Sequence, residues 1–169
     1  MSGGFGRRVT RVLSLDLGTK RIGVAVSDAT LTLASPLTTV HRQGDRTAEH
    51  AAIARLVAEE QAAAVIVGLP LNMDGSHGPA ARAAEEEAAV LGRLLDVPVE
   101  LVDERLTTVT ADRVLVGQGR RAPARRRVID QTAAAVLLQS WLDGPGGRRA
   151  RAVESDDRLA GGPGGSVDR

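Results

Sequence analysis

Hydrophobic and polar positions along the chain follow two periods, which together predict a mixed α/β domain. Residues 9–17 and 21–27 alternate in the two-residue period of strands and are joined by a short glycine-containing turn, so they should form a hairpin. A third strand over residues 34–40 contains Pro36, which suits a sheet edge. The unbroken apolar run at 63–69 predicts a strand buried on both faces, and 97–102 predicts a fifth strand.

Helical periodicity fills the segments between and after these strands. Thr47 is the predicted N-cap of a helix that ends near residue 60, and an alanine-rich helix follows over 80–95. A helix capped at Thr107 or Thr108 runs to about 116, a basic loop covers 117–123, and the last helix covers 125–142. The order β-β-β-α-β-α-β-α-α implies an α/β fold in which a mixed five-stranded sheet is flanked by helices.

Composition sets the limits of this domain. The chain has 169 residues, enough for one domain with a hydrophobic core, and it contains no cysteine, which excludes disulfides and thiolate metal sites. We expect a flexible N-terminus over 1–8, a single domain over 9–143, and a disordered Gly/Pro-rich tail over 144–169 with few large apolar residues. No apolar run could span a bilayer and no signal peptide is recognisable, so we expect a cytoplasmic protein without a membrane partner.

Three acids lie in apolar settings and form a candidate metal site. Asp16 lies within an apolar strand, where a carboxylate is costly to bury unless a cation compensates it. Glu104 follows the strand at 97–102, and ligands gather at the carboxyl ends of parallel strands. Asp130 lies four residues before Ala134, so helical spacing predicts that it is on the inward face of the last helix.

The residue types in this trio favour a particular chemistry. Hard oxygen ligands without cysteine or histidine suit Mg²⁺ or Mn²⁺ better than Zn²⁺. Such ions activate a water molecule and stabilise the leaving oxygen of a phosphodiester, so the three acids are candidate catalytic residues as well as metal ligands.

Other charged residues are assigned outside the site. Asp28 lies too far along the second strand, and Asp103 should face away from Glu104 because neighbouring strand residues point to opposite faces. The acids at 85–87 are expected on a solvated helix face. The three histidines are expected at the surface, and they are His41, His50 and His77.

Four segments in this order resemble the YqgF family, also called RuvX, of Holliday-junction-resolvase-like proteins in the ribonuclease H superfamily: LDLGTKRIGVAVSD, VGLPLNMDGSHGP, VDERLTT and VIDQTAAAVLLQSWL. The resemblance implies a ribonuclease H-like fold and a metal-dependent nuclease that acts on the precursor of 16S ribosomal RNA, in ribosome biogenesis. By motif, Asp16, Glu104 and Asp130 match the family's three acids, which agrees with the choice made on physical grounds.

Basic and polar residues supply candidate contacts to nucleic acid. Between residues 120 and 151 there are eight arginines against two acids, a density that could bind phosphates or could be a solvated loop. The family usually has lysine where this chain has three consecutive arginines, and arginine keeps the charge. For Arg105 an ion pair with Asp103 or Glu104 is the alternative role. The candidate nucleic-acid-binding residues are Lys20, Arg21, Asn72, Arg105, Arg125, Arg126 and Arg127.

Several functions stay open at this point. Precursor ribosomal RNA and branched DNA junctions are both possible substrates, because metal-assisted hydrolysis is indifferent to the sugar. The Asp-Leu-Gly-Thr turn also resembles the phosphate-binding turn of the actin and sugar-kinase superfamily, but a second copy of that turn is missing. A non-catalytic nucleic-acid-binding module is disfavoured, because three acids near phosphates would weaken binding.

Overall fold

Five strands form one mixed sheet in the computed structural model, which describes residues 10–107 and 132–160. Their spatial order is β3-β2-β1-β4-β5, with β2 antiparallel to both its neighbours and β4 parallel to β1 and to β5. The predicted five-stranded mixed sheet is confirmed, and β3, which contains Pro36, lies at an edge. The strands are β1 (Arg11–Leu17), β2 (Arg21–Ser27), β3 (Ala34–His41), β4 (Ala62–Leu69) and β5 (Val99–Asp103).

Among the described residues, four helices of more than one turn cover the two faces of this sheet. They are α1 (Arg46–Glu59), α2 (Pro79–Leu94), α3 (Ala133–Asp143) and α4 (Pro145–Ala160). Residues 105–107 are already helical, so the predicted helix cap at Thr107 or Thr108 is wrong, while the rest of that helix and the basic loop at 117–123 lie outside the described residues. Within the part of the chain that the structure describes, no helix is both long and apolar enough to cross a membrane.

Alternation along β1 divides the core into two layers. Leu13 and Leu15 face α1 and α2, where they pack with Ile53 of α1 and Leu91 of α2. Val12 faces the opposite way and packs against α3 in a second apolar cluster. Because the side-chain period of a strand is two, Ser14 and Asp16 share the face of Val12. The acid of β1 is therefore on the α3 side of the sheet.

Helices α1 and α3 also begin at other residues than the sequence predicts. The N-cap of α1 is Asp45, whose carboxylate accepts a hydrogen bond from the Ala48 amide (3.1 Å), so Thr47 lies inside the helix. Thr132 has an extended backbone and its hydroxyl caps the Ala135 amide (3.2 Å), so α3 begins at Ala133. The prediction of one helix over 125–142 is wrong at this point, because the spacing pattern contains no signal for the cap.

This start of α3 affects the argument for one candidate ligand. Helical spacing from Ala134 cannot be extended backwards through the non-helical Thr132, so it does not place Asp130 on the inward face of α3. Asp130 itself lies outside the described residues.

The predicted disordered tail from Gly144 differs from the structure, in which residues 145–160 form α4. Gly146 and Gly147 are buried, and a Cβ atom on either would overlap Trp141 or the Leu142 backbone. These glycines therefore permit close approach of α4 to α3 rather than flexibility. Arg151 of α4 fixes the contact, because its guanidinium donates to the carbonyl oxygens of Leu31 (2.7 Å) and Leu142 (3.1 Å). Residues 1–8 and 161–169 are not among the described residues, and the domain boundaries stay a prediction.

Replacing Gly147 by alanine should destabilise the fold by about 1–3 kcal/mol, because the added methyl group meets backbone that cannot move aside easily. The matched control is Gly92→Ala in α2, where the nearest atom would be 4.0 Å from the new Cβ. That change should stabilise the protein by about 0.5–1 kcal/mol, since alanine favours helix over glycine. Urea unfolding of both variants checks this, and equal effects would show that α4 does not pack closely on α3.

Candidate metal centre

Asp16 lies near the carboxyl end of β1, close to the first turn of α3. The Ser14 hydroxyl, two residues earlier on the same face, donates to the carbonyl oxygen of Ala134 (2.6 Å). Gly23 of β2 pairs with Asp16, and a Cβ atom built on Gly23 would lie 3.7 Å from the Asp16 Cβ and 3.6 Å from the Ala134 Cβ. The backbone on both sides of Asp16 is therefore packed closely against α3.

Glu104 follows β5 and lies on the same face of the sheet as Asp16. Its side chain lies across Gly68 of β4, the strand between β1 and β5, and a Cβ atom on Gly68 would be only 3.0 Å from the Glu104 Cγ and Cδ atoms. Leu15 is in register with Val67, so Gly68 occupies the same level of the sheet as Asp16. The absence of a side chain on Gly68 leaves the space through which Glu104 approaches Asp16.

Both carboxylates are half-buried, and their environment disfavours negative charge. Burial raises the pKa of Asp16. Burial also raises the pKa of Glu104, and the negative charges of Asp16 and Asp103 raise it further. Within residues 10–107 and 132–160, no arginine or lysine forms an ion pair with either group. A divalent cation between the two would remove this repulsion, so the donor set fits Mg²⁺ or Mn²⁺.

The third predicted ligand, Asp130, is outside the described residues. Among the residues that are described, no group of three or more histidines, aspartates or glutamates could hold a metal ion. The structure therefore brings together two of the three predicted acids, and the contribution of Asp130 stays a prediction.

Asp103 faces away from this centre, as the strand alternation predicts. Its carboxylate receives the Arg105 guanidinium, with the shortest contact between Arg105 Nη2 and Asp103 Oδ2 at 2.7 Å. Arg105 Nη1 also donates to the carbonyl oxygen of Met73 (3.3 Å). Of the two ion-pair partners that the sequence left open for Arg105, the structure gives Asp103. Arg105 thereby ties the end of β5 to the loop between β4 and α2.

The described candidates for nucleic-acid contact lie at the same edge of the sheet as the two acids. Lys20 and Arg21 are exposed, in the turn after β1 and at the start of β2. Asn72 is exposed in the loop after β4, and its amide donates to the Ser76 hydroxyl (2.9 Å). Their contacts to nucleic acid stay predictions. Three further candidates, Arg125, Arg126 and Arg127, lie outside the described residues.

A buried charged cluster on the opposite face was missed by the sequence analysis. Glu87 and His50 were expected at the surface, but they are only 3% and 6% exposed, so both predictions are wrong. The Arg42 guanidinium binds both carboxylate oxygens of Glu87 (3.0 and 2.8 Å), and His50 Nε2 lies 2.9 Å from Glu87 Oε1. Glu87 lies four residues before Leu91 on the inward stripe of α2, which is the signal that could have found it.

A cavity of about 470 Å³ lies beside this cluster, between α1, α2 and the turn after β1. Its charged lining residues include Arg42, Glu49 and Glu87, and these are already paired with one another. The cavity is on the α1 and α2 side, whereas Asp16 and Glu104 lie on the α3 side. The carboxylate pair, rather than this cavity, is the candidate site for chemistry.

A mixed five-stranded sheet flanked by helices, with half-buried carboxylates at the carboxyl ends of β1 and β5 on either side of β4, defines an α/β domain with an acidic centre. The sequence profile of the RuvX family, described as "Holliday junction resolvase", matches residues 10–144. The chain belongs to the RuvX family, as the resemblance of its four segments implied.

Individual relatives are similar over most of their length. A protein of Myxococcus xanthus is 50% identical over 133 residues, which cover 79% of this chain and 87% of that protein. A protein of Anaeromyxobacter sp. is 50% identical over 134 residues, which cover 79% of this chain and 97% of that protein. Both are named "Putative pre-16S rRNA nuclease". Among solved structures, T. thermophilus RuvC in complex with a Holliday junction substrate has a TM-score of 0.48 and 16% identity, covering 81% of this chain and 97% of that chain.

Replacing Gly68 by alanine should displace the Glu104 carboxylate with little loss of stability, because the new methyl group meets the movable end of a side chain. We expect the affinity for Mn²⁺ to fall about 10-fold or more, as is typical when the support of a metal ligand is lost. Isothermal titration of the variant and the wild type with Mn²⁺ checks this. Unchanged affinity would show that Glu104 does not bind the metal in the position described.

Replacing Glu87 by glutamine should reduce the free energy of unfolding by about 3 kcal/mol at pH 7, because it removes the carboxylate that accepts two hydrogen bonds from Arg42 and leaves Arg42 with Glu49 as its remaining carboxylate partner. Burial alone raises the pKa of Glu87, but hydrogen bonds from Arg42 and His50 and the charges of Arg42 and Arg46 lower it below its ordinary value of 4.5. A lowered folded-state pKa means that this stabilisation is present above pH 4.5 and is lost as the pH falls through the folded value.

The difference in unfolding free energy between wild type and Glu87→Gln should therefore narrow as the pH falls from 6 to 3. Urea unfolding at several pH values measures it, with Glu86→Gln, an exposed neighbour on α2, as the control that should show no such narrowing. A difference that stays constant over this range would contradict the charged pairing.

Proposed function

We propose that this chain is a divalent-metal-dependent endonuclease that hydrolyses phosphodiester bonds in the precursor of 16S ribosomal RNA, as part of 5′-end processing. The proposal rests on membership of the RuvX family and on two relatives at 50% identity whose names give pre-16S rRNA as substrate. Asp16, Glu104 and Asp130 are the proposed metal ligands and catalytic residues, and Mg²⁺ or Mn²⁺ is the proposed metal.

The observation that carries this proposal is the uncompensated pair formed by Asp16 and Glu104. A protein gains nothing in stability from two half-buried carboxylates whose pKa values are raised by burial and, for Glu104, also by the charge of Asp16. Structural acids in this chain look different: Asp103 is paired with Arg105, and Glu87 is paired with Arg42. Among the residues that the structure describes, the Asp16 and Glu104 pair has no such cationic partner and could receive a cation from solution.

The protein contributes placement and charge to the reaction. Asp16 is carried by the backbone of β1, and the Glu104 side chain lies over Gly68, so both carboxylates lie on the α3 side of the sheet. A bound divalent ion supplies an activated water molecule and stabilises the leaving oxygen of the phosphodiester. The exposed Lys20 and Arg21 at the same edge are proposed to bind flanking phosphates, as are Asn72 and Arg105 on the other side.

A second substrate class is branched DNA. The description of the family profile as a Holliday junction resolvase supports this alternative. The fold does not separate the two, because recognition of RNA depends on contacts to the 2′-hydroxyl group that the strand-end carboxylates do not provide.

Asp16→Asn and Glu104→Gln should each reduce cleavage about 100-fold or more in Mg²⁺ or Mn²⁺, since each change removes a negatively charged ligand. The substrates are a pre-16S rRNA fragment and a four-way DNA junction, tested in parallel with the wild type. Glu100→Gln is the matched control, because Glu100 lies in β5 on the same face of the sheet as Glu104, which follows that strand, but is exposed beside Trp141 and Arg149.

We expect Glu100→Gln to cleave like the wild type, and the wild type to prefer the RNA. Full activity of Asp16→Asn would remove the proposed site. Faster cleavage of the DNA junction than of the RNA would show that branched DNA is the substrate. Binding of nucleic acid without cleavage in either metal would show a non-catalytic binding module.

A further inference from the structure

We propose that Arg42 is a positioning residue for Asp16, which it holds in place from the opposite face of the sheet through the turn at residues 18–20. This inference rests on the proposed function, because it concerns how a metal-binding carboxylate is kept in place. It assigns a role to the buried charged cluster that the reaction itself does not use.

Arg42 forms two hydrogen bonds with the turn at residues 18–20. Its backbone amide donates to the carbonyl oxygen of Lys20 (2.9 Å), and its side-chain Nε donates to the carbonyl oxygen of Gly18 (2.8 Å). The Gly18 amide in turn donates to the carbonyl oxygen of Asp16 (3.1 Å). Arg42, the residue after β3, thus binds the carbonyl oxygens of Gly18 and Lys20, and Gly18 is two residues after the candidate ligand Asp16.

The turn itself leaves little room for adjustment. A Cβ atom on Gly18 would lie 2.6 Å from the carbonyl oxygen of Arg21, so a residue with a side chain could not keep this backbone path. Leu17, between the turn and Asp16, is packed against the core formed with α1 and α2. A shift of the turn would therefore be transmitted directly to Asp16.

The guanidinium group of Arg42 is itself fixed by two helices. Glu87 of α2 accepts two of its hydrogen bonds, Glu49 of α1 accepts a third (3.2 Å), and His50 of α1 contacts Glu87. The side chains of Arg42, Glu49 and Glu87 are only 14%, 5% and 3% exposed. An arginine that is only 14% exposed and has this many partners is restricted in its conformation, so we infer that α1 and α2 together set the position of the turn.

Asp16 needs such support because no hydrogen bond to its carboxylate is present among the described residues. Metal ligands are ordinarily oriented by partners that bind them from behind, and loss of these partners weakens metal binding 10- to 100-fold. For Asp16 the backbone takes this role. Arg42 is the residue that ties that backbone to the helices on the other face.

The test compares Arg42→Met and the double variant Arg42→Met/Glu87→Met with the wild type, all as full-length chains. The double variant removes both members of the main buried ion pair, so it avoids leaving the Glu87 charge unpaired and should keep the fold. Arg11→Met is the control, because it breaks another ion pair of β1, with Glu60 (2.8 Å), at the opposite end of the strand.

Mn²⁺ binding is measured by isothermal titration, and cleavage is measured as a function of Mn²⁺ concentration. Both Arg42 variants should bind Mn²⁺ about tenfold more weakly and should need correspondingly more Mn²⁺ for half-maximal cleavage. The rate at saturating Mn²⁺ should change much less, whereas simple unfolding would lower that rate without moving the half-saturation point. Arg11→Met should match the wild type in Mn²⁺ affinity.

Wild-type affinity in the folded double variant would overturn the inference and leave the proposed function intact. Absence of Mn²⁺ binding by the wild-type chain would overturn the proposed function and this inference with it. The wild-type titration therefore separates the two failures.

Discussion

The repulsion between Asp16 and Glu104 is the constraint on which the rest of this structure depends. Burial disfavours the ionised form of both carboxylates, the charge of Asp16 further disfavours that of Glu104, and the fold brings them together nonetheless. The features around them serve this approach: Gly68 leaves space under Glu104, Gly23 leaves space beside Asp16, and Ser14 ties α3 to the strand. A fold selected for stability alone would pair or expose these acids, as this chain does with Asp103.

The two faces of the sheet carry charged groups in different arrangements. The α3 side carries the carboxylates, and the α1 and α2 side carries a network in which the opposite charges are neutralised by direct pairing. The sign of each pKa displacement reflects this difference: the pKa of Glu104 is raised, whereas the pKa of Glu87 is lowered by its partners. The turn at residues 18–20, between β1 and β2, is hydrogen-bonded both to Arg42 on the α1 and α2 side and to the backbone of Asp16.

The sequence predicted most of the sheet, because period-two patterning and the continuous apolar run of β4 depend only on which side chains are buried. It also predicted that Asp16 and Glu104 lie at the same edge of the sheet and that Asp103 faces away from them. Strand alternation determines the face on which each side chain lies. The prediction that the last helix extends back through Asp130 is wrong, because the Thr132 hydroxyl caps the helix and the helix begins at Ala133. The prediction is also wrong at Gly146 and Gly147, because glycine at a close helix contact is indistinguishable by composition from glycine in a flexible tail. The ion pair of Arg42 with Glu87 joins residues 45 positions apart in the sequence, and no local pattern encodes such a pair.

Strand order has a consequence for how the domain assembles. β1 pairs with β2 and β2 with β3 through short connections, so this antiparallel half can form from local contacts. The pairing of β1 with β4 and of β4 with β5 is parallel and bridges whole helices, which makes it the slower half. Asp16 belongs to the early half and Glu104 follows the last strand of the late half. A cation held by both carboxylates would therefore bind only after the parallel strands have docked, so it would stabilise the finished domain without acting on the first steps of its formation.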